Sequence, residues 1–248
     1  IEFIENPGER YGDSSLGAVV DIIVRRRETG GLVNIQATNA PHMLFSEDNV
    51  VAKFNHNKSQ WGLFYNLSAR NFKKTYTDID ETYVLENKTI HRVQEGLHDQ
   101  NKHFTHNIDL SYNLTEQDKY VFNVVFRNSV YDAPCLNQSN KLYDAADADN
   151  YIFSRLKNKQ SSYTPSLDLY YQRTLPKNQM LTMSVTGTLM HTDNNRLYHE
   201  YTPQAEDLAM IETDVTGNKR SIIGEAIYDK RFKFLVFSAG LRHYQMYA

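Results

Sequence analysis

The sequence predicts an all-β chain of antiparallel strands forming part of a transmembrane β-barrel wall, and three observations predict it. First, apolar and polar residues alternate with period two in segment after segment, the β signature. In residues 104–114, Phe104, His106, Ile108, Leu110, Tyr112 and Leu114 alternate with Thr105, Asn107, Asp109, Ser111 and Asn113. Second, short polar turns near residues 58, 117, 178 and 230 alternate with long connections, the asymmetry of membrane barrels, whose spanning strands need ~9 to 11 residues. Third, mean hydropathy is −0.60, yet the chain of 248 residues holds Tyr 17 and Phe 12. No run approaches the roughly eighteen apolar residues of a spanning helix. A barrel wall reconciles these facts, since only alternate residues face lipid.

The strands follow in order. Gly30-Gly31 precedes a first strand over residues 32–39, with Val33, Ile35 and Ala37 on one face. A loop over residues 40–48 leads to a second strand in which Val50, Ala52 and Phe54 alternate with Val51, Lys53 and Asn55. After the turn at residues 57–60, Trp61, Leu63, Tyr65, Leu67 and Ala69 form one face of the third, with Trp61 and Tyr65 at the turn end, where an aromatic girdle sits. Residues 73–100 are polar and read as an extended hairpin beyond the membrane. The strand over 104–114 follows, then the turn at 115–118 and a strand with Tyr120, Phe122, Val124 and Phe126 on one face.

A long loop is expected over residues 132–150, then a strand from Tyr151 that ends with Leu167, Leu169 and Tyr171 on one face. Pro165 lacks an N–H, which predicts a bulge or irregular pairing there. The turn at 176–179 leads to Leu181, Met183, Val185, Gly187 and Leu189 on one face. A second long loop is expected over 194–218, and residues 222–228 and 233–244 form a last hairpin around 229–232. Lys53, Arg127 and Asp168 fall on the polar parity, and Glu225 is expected there too, in a strand with apolar residues on both parities. A Lys or Arg on the lipid side near the midplane costs about 2–4 kcal/mol, which enforces this sorting. The strands number about nine.

The one specific motif lies at the amino end. Ile1-Glu2-Phe3-Ile4-Glu5-Asn6-Pro7-Gly8 is a short strand and turn, followed by Tyr11-Gly12 and by Gly17-Ala18-Val19-Val20-Asp21-Ile22-Ile23-Val24-Arg25-Arg26, a glycine-hinged strand with a basic end. This order resembles the end of the plug domain of TonB-dependent outer-membrane receptors, where the chain leaves the plug for the barrel; the family's usual ending differs at Ala18, Val20, Asp21 and Val24. The resemblance marks Pro7, Tyr11, Gly12, Gly17, Asp21, Arg25 and Arg26 as junction residues. It implies a division into the C-terminal end of a plug (residues 1–29) and the N-terminal part of a barrel (residues 30–248). It further implies import of a scarce ligand (metal chelate, oligosaccharide, peptide or vitamin) across the bacterial outer membrane, with the TonB complex and outer-membrane lipid as partners. The segment that contacts TonB is not in this chain, and no cofactor is implied. A non-transporting barrel for adhesion or partner binding is the alternative. The family closes at about twenty-two strands; the absent signal peptide and the mid-strand stop at residues 242–248 lead us to expect an internal piece of a longer polypeptide.

Chemical constellations are sparse. Tyr198, His199 and Tyr201 are candidate ligand-stacking residues, equally suited to an interfacial belt. Asp144, Asp147 and Asp149 form an acidic stretch that suggests calcium, but the glycine and terminal glutamate of a calcium loop are missing. His103 and His106 point to opposite strand faces. The single cysteine, Cys135, reads as an incidental loop residue. The arginines at 25–27 read as a solvated linker or as partners of wall carboxylates. No Gly-x-Ser-x-Gly elbow, phosphate loop or nucleic-acid footprint is present, so neither an enzyme nor a nucleic-acid binder is expected.

Overall fold

A computed structural model describes residues 2–5, 18–21, 29–42, 44–86 and 88–248, with side chains described from residue 29 onward. Of the junction motif, Pro7, Tyr11, Gly12, Gly17, Arg25 and Arg26 lie outside the described residues. Asp21 is described by its backbone alone: β1 (Glu2–Glu5) and β2 (Ala18–Asp21) pair antiparallel, with Glu2 opposite Asp21.

The rest is one open antiparallel sheet of eleven strands. Nine of them run along its main path in chain order: β3 (Thr29–Ala40), β4 (Phe45–His56), β5 (Ser59–Thr75), β8 (Asp99–Glu116), β9 (Tyr120–Asp144), β10 (Asp147–Leu175), β11 (Gln179–Tyr201), β12 (Asp207–Arg231) and β13 (Val236–Tyr247). Each of the first eight contains one of the nine strands read from the sequence, and β13 overlaps the ninth, expected over 233–244. The polar segment after β5 forms the hairpin β6 (Ile79–Leu85) and β7 (Lys88–Leu97), and β7 pairs with the far end of β9. Among the described residues, β3 and β13 are the unpaired edges of the main path, and β6, which pairs only with β7, is the free edge of the hairpin.

Register carries the alternation of each strand across the whole sheet. One row runs Val33, Ala52, Leu63, Leu110, Phe126, Leu167, Gly187 and Ile222 from β3 to β12. The next row on that face runs Gly31, Phe54, Trp61, Tyr112, Val124, Leu169, Val185 and Gly224. These rows form an apolar band. Toward the short turns it ends in rings: Trp61 and Tyr112 lie 4.4 Å apart and Tyr112 and Phe122 6.4 Å apart. Tyr65 alone of the expected girdle sits further along the strand, 2.8 Å from His106 Nδ1.

The opposite face is polar and hydrogen-bonded from strand to strand. Asn66 donates to Asn49 (2.8 Å), Asn107 to Asn66 (3.3 Å) and Ser129 to Asn107 (2.8 Å), a ladder across β4, β5, β8 and β9. Arg127 pairs with Asp168, which also accepts a 2.7 Å bond from Thr186. Glu225 lies on this face opposite Ser184 and Arg242, which resolves the strand whose parity the sequence left ambiguous.

Nothing described covers the apolar band. Among the described residues only Ala133, Leu142, Asn140 and Ser154 are buried, and all four lie beyond the band on β9 and β10. The chain exposes 17642 Å², against the roughly 11,000 Å² expected of a folded water-soluble monomer of this mass. Val33 is 66% exposed and Ile35 70%. The sheet is a single layer without a core of its own.

At one end, turns at residues 57–58, 117–119, 176–178 and 232–235 are tight, with Asn57, Asp118, Lys177 and Asn178 at positive φ. Lys119 (2.7 Å) and Lys58 (2.9 Å) both bind the Glu116 carboxylate, tying two of these turns together. Their hydrogen bonds, Lys119 first, hold its pKa at about 2.

At the other end the expectation of long loops is corrected. Residues 132–150 and 194–218 are mostly strand, broken at 145–146 and 202–206, so β9 to β12 reach 23 to 29 residues and the sheet rises as a wall. The loop at 40–48 shrinks, since β3 runs to Ala40 and β4 starts at Phe45, Gly30-Gly31 lies inside β3, and the last turn falls at 232–235. Pro165 makes no bulge. It pairs with Asn128, and the β10–β11 ladder lapses at Thr164 and Pro165 but resumes in the same register at Ser166. The irregularity lies at Ala133-Pro134-Cys135, where β9 gains one residue against both β8 and β10. Pro134 has no N–H to give either neighbour. Cys135 is therefore a strand residue, its Sγ 3.2 Å from the Gln100 carbonyl.

Candidate functional site

Beyond the apolar band, β7 of the hairpin pairs with β9, and among the described residues side chains become buried only in this upper part of β9 and β10. Leu156 opposes Tyr198, and Asn158 opposes Arg196. A cavity of about 230 Å³ opens on the β10 side of these pairs, lined by Leu97, Asn101, Leu136, Gln138, Leu156 and Asn158 and bounded by residues 75–77. A second, of about 300 Å³, opens on the other side, lined by Arg196, Tyr198, Ile211 and Thr213.

The chain bounds the first cavity by crossing over Gly96. The Gly96 N–H donates to Asp78 (2.7 Å), and a Cβ at this position would lie 2.6 Å from the Thr77 nitrogen and 2.7 Å from its carbonyl oxygen. Glycine is what lets the two backbones approach.

Polar groups converge on the cavities. Tyr198 donates to Glu200 (2.5 Å), and Tyr83 on β6 donates to Glu81 (2.5 Å), which also accepts from Gln94 (3.3 Å). Burial, then the bond to Glu200, raises the Tyr198 pKa; the bond to Glu81 does most to raise that of Tyr83. Arg92 opposes both shifts, so its positive charge acts on both phenols. Asn140, 5% exposed, keeps an Oδ1 without a donor among the described residues, as do Asn158 and Asn194 on the same face. Orphaned acceptors are costly unless a partner arrives. The site thus offers unfilled carbonyl acceptors beside two hollows, the second lined by the Tyr198 phenol and the Arg196 guanidinium, with a further phenol and guanidinium on the hairpin, a recognition chemistry.

Of the sequence candidates, the structure brings only Tyr198 here. His199 and Tyr201 lie on the opposite face, as strand alternation requires. There His199 is 2.7 Å from Asp207, and the Tyr201 ring stacks on Phe153 at 5.4 Å. Asp144, Asp147 and Asp149 lie at the β9–β10 tip, where Asp144 accepts the Ala146 N–H (2.9 Å). Among the described residues no three His, Cys, Asp or Glu side chains are placed to hold a metal. His103 and His106 fall on opposite faces, His103 shifted toward neutrality by burial and by Arg70.

Sequence reasoning missed Arg92, Tyr83, Asn140, Asn158 and Arg196. Arg92, Tyr83, Asn140 and Arg196 lie in polar segments read as loops or hairpin, and Asn158 in the polar start of the strand from Tyr151, where no apolar rhythm marks which residues share a face. No known protein family, curated protein or solved structure matches this chain.

Proposed function

We propose that this chain is part of a bacterial outer-membrane TonB-dependent receptor, its sheet a segment of a larger barrel and residues 1–29 the end of the plug. One observation carries the reading: a continuous apolar face that none of the described residues covers backs onto a polar, hydrogen-bonded face. In water such a sheet loses roughly 25 cal/mol for each Å² of apolar surface left exposed; in a bilayer that surface is solvated by acyl chains. The two unpaired edges support closure by further strands, because open edges are not tolerated in hydrocarbon.

The polar face then lines the lumen, the tight turns face the periplasm and the tall wall rises outside. The cavities around Tyr198 and Arg196 lie on the lumenal side of that wall, where an incoming ligand meets them before any plug. Uptake of radiolabelled metal chelates, oligosaccharides, peptides and vitamins into cells with and without TonB tests the reading. Accumulation of one of them that needs both this protein and TonB is expected; uptake that persists without TonB would contradict it. A surface-binding module without transport has one observation in its favour, the 29-residue span of β10, far beyond the ~9 to 11 residues that crossing requires. Surface adhesion by cells carrying the protein but lacking TonB would favour that alternative.

A further inference from the structure

We infer that the outer face of β8 and β10, just beyond the apolar band, is a binding site for the phosphorylated headgroup of an outer-leaflet lipid; this rests on the membrane reading above. The band ends at the row containing His106, Val130, Tyr163 and His191. On β10 the next outward-facing positions are Ser161, Lys159, Lys157 and Arg155, and the three cations are exposed while Leu156, Asn158 and Gln160 between them are not. On β8, Lys102 stands level with Lys159, four residues beyond His106, its Nζ 5.1 Å from the Phe104 ring centroid.

Four cations thus share one side of the wall. Among the described residues none of the four has a carboxylate in ion-pair contact. The acids on the same face lie apart or are engaged. Asp132 opposes Phe104 and Ser161 below the lysines, Asp193 binds His191 (2.9 Å), Glu95 faces Lys141 (4.0 Å), and Glu212 and Asp214 stand two strands away on β12. Lys102 and Lys159, four residues of strand past the band, rise about 13 Å, or about 9 Å along the bilayer normal at ~45° tilt, while Lys157 and Arg155, six and eight residues past it, stand about 14 Å and about 19 Å up. The first height meets the headgroup layer, which extends roughly 5–7 Å beyond the hydrocarbon on each side, and lysine stems reach back across the difference; Lys157 and Arg155 stand above that layer and add to the positive field over it. Fixed positive charge at headgroup height on a lipid-facing wall complements phosphate esters, whose acyl chains then lie along the band beneath.

The test is native mass spectrometry of the full-length receptor in zwitterionic detergent, titrated with bisphosphorylated lipid A. The wild type is expected to retain the lipid, and the variant with Lys102→Gln, Arg155→Gln, Lys157→Gln and Lys159→Gln to bind it about tenfold or more weakly. Replacing the three lysines by arginine should preserve binding, excess inorganic phosphate should not displace the lipid, and dephosphorylated lipid A should bind the wild type as weakly as the glutamine variant binds the intact lipid. Heat-shifted migration on gels confirms that each variant is folded. Equal retention of lipid A by the wild type and the glutamine variant overturns the site, as does equal affinity for the dephosphorylated lipid or displacement by phosphate. If nitroxides along β11 still alternate between lipid and water, such a failure falls on this site alone. If the alternation is absent, the membrane reading falls with it.

Discussion

Val185→Lys is expected to lower stability in the bilayer by about 2–4 kcal/mol, whereas Ser184→Lys, one residue away, should change it by less than about 0.5 kcal/mol. Val185 is the middle of the five alternate residues from Leu181 to Leu189, and register places it between Leu169 and Gly224 on the apolar face. An ammonium there would lie near the bilayer midplane with no partner opposite it. Ser184 points to the polar face, between Tyr170 and Glu225, so a lysine at that position gains an acid as neighbour and stays in contact with lumenal water. Urea unfolding of the protein refolded into phosphatidylcholine vesicles measures both. Equal losses, or a larger loss for Ser184→Lys, would mean that the faces have been assigned the wrong way round.

Gly96→Val is expected to cost about 1–3 kcal/mol and to release the segment that bounds the first cavity. Its side chain would meet backbone at Thr77, which cannot rotate away, and the Gly96 N–H bond to Asp78 would be strained with it. Gly62→Ala provides the comparison, since its new methyl would press only on the Ser111 hydroxymethyl, a group that can turn aside. Hydrogen exchange at residues 75–78 should therefore speed up in Gly96→Val and stay at the wild-type rate in Gly62→Ala. Unchanged protection in Gly96→Val would show that the crossing does not depend on the glycine.

The same physics explains what could be read from the sequence. Between residues 32 and 70, 104 and 130, and 165 and 190, one face meets a different environment from the other, so Leu110 and Asp109, or Val185 and Ser184, had to differ in type. Alternation records that contrast and therefore marked seven strands there with their parity, whereas the strand around Glu225 has apolar residues on both parities and is settled only by its register with Ser184 and Arg242. Beyond the band both faces of β9 to β12 meet polar surroundings, so the run from Asn137 to Asn140 is amphipathic in neither direction and reads as loop although it is strand. The site suffers from the same silence. Tyr198, His199 and Tyr201 look like a cluster along the chain, but alternation divides them between faces. Arg92 joins Tyr198 only because β7 pairs with β9 instead of continuing beside β5. Of two prolines, Pro165 lacks a donor on one side only and interrupts a ladder without shifting it, while Pro134 accompanies an extra residue and shifts the register with both neighbours.

The central claim is that the uncovered apolar face of the sheet is its lipid face. Nitroxides placed singly at Met183, Ser184, Val185 and Thr186, in a Cys135→Ser background and in the receptor reconstituted in bilayers, test it most directly. Collision with dissolved oxygen, which concentrates in lipid, is expected to peak at Met183 and Val185, and collision with a water-soluble nickel chelate at Ser184 and Thr186. Preferential collision of the chelate with Met183 and Val185, or no alternation along the four positions, would contradict the account.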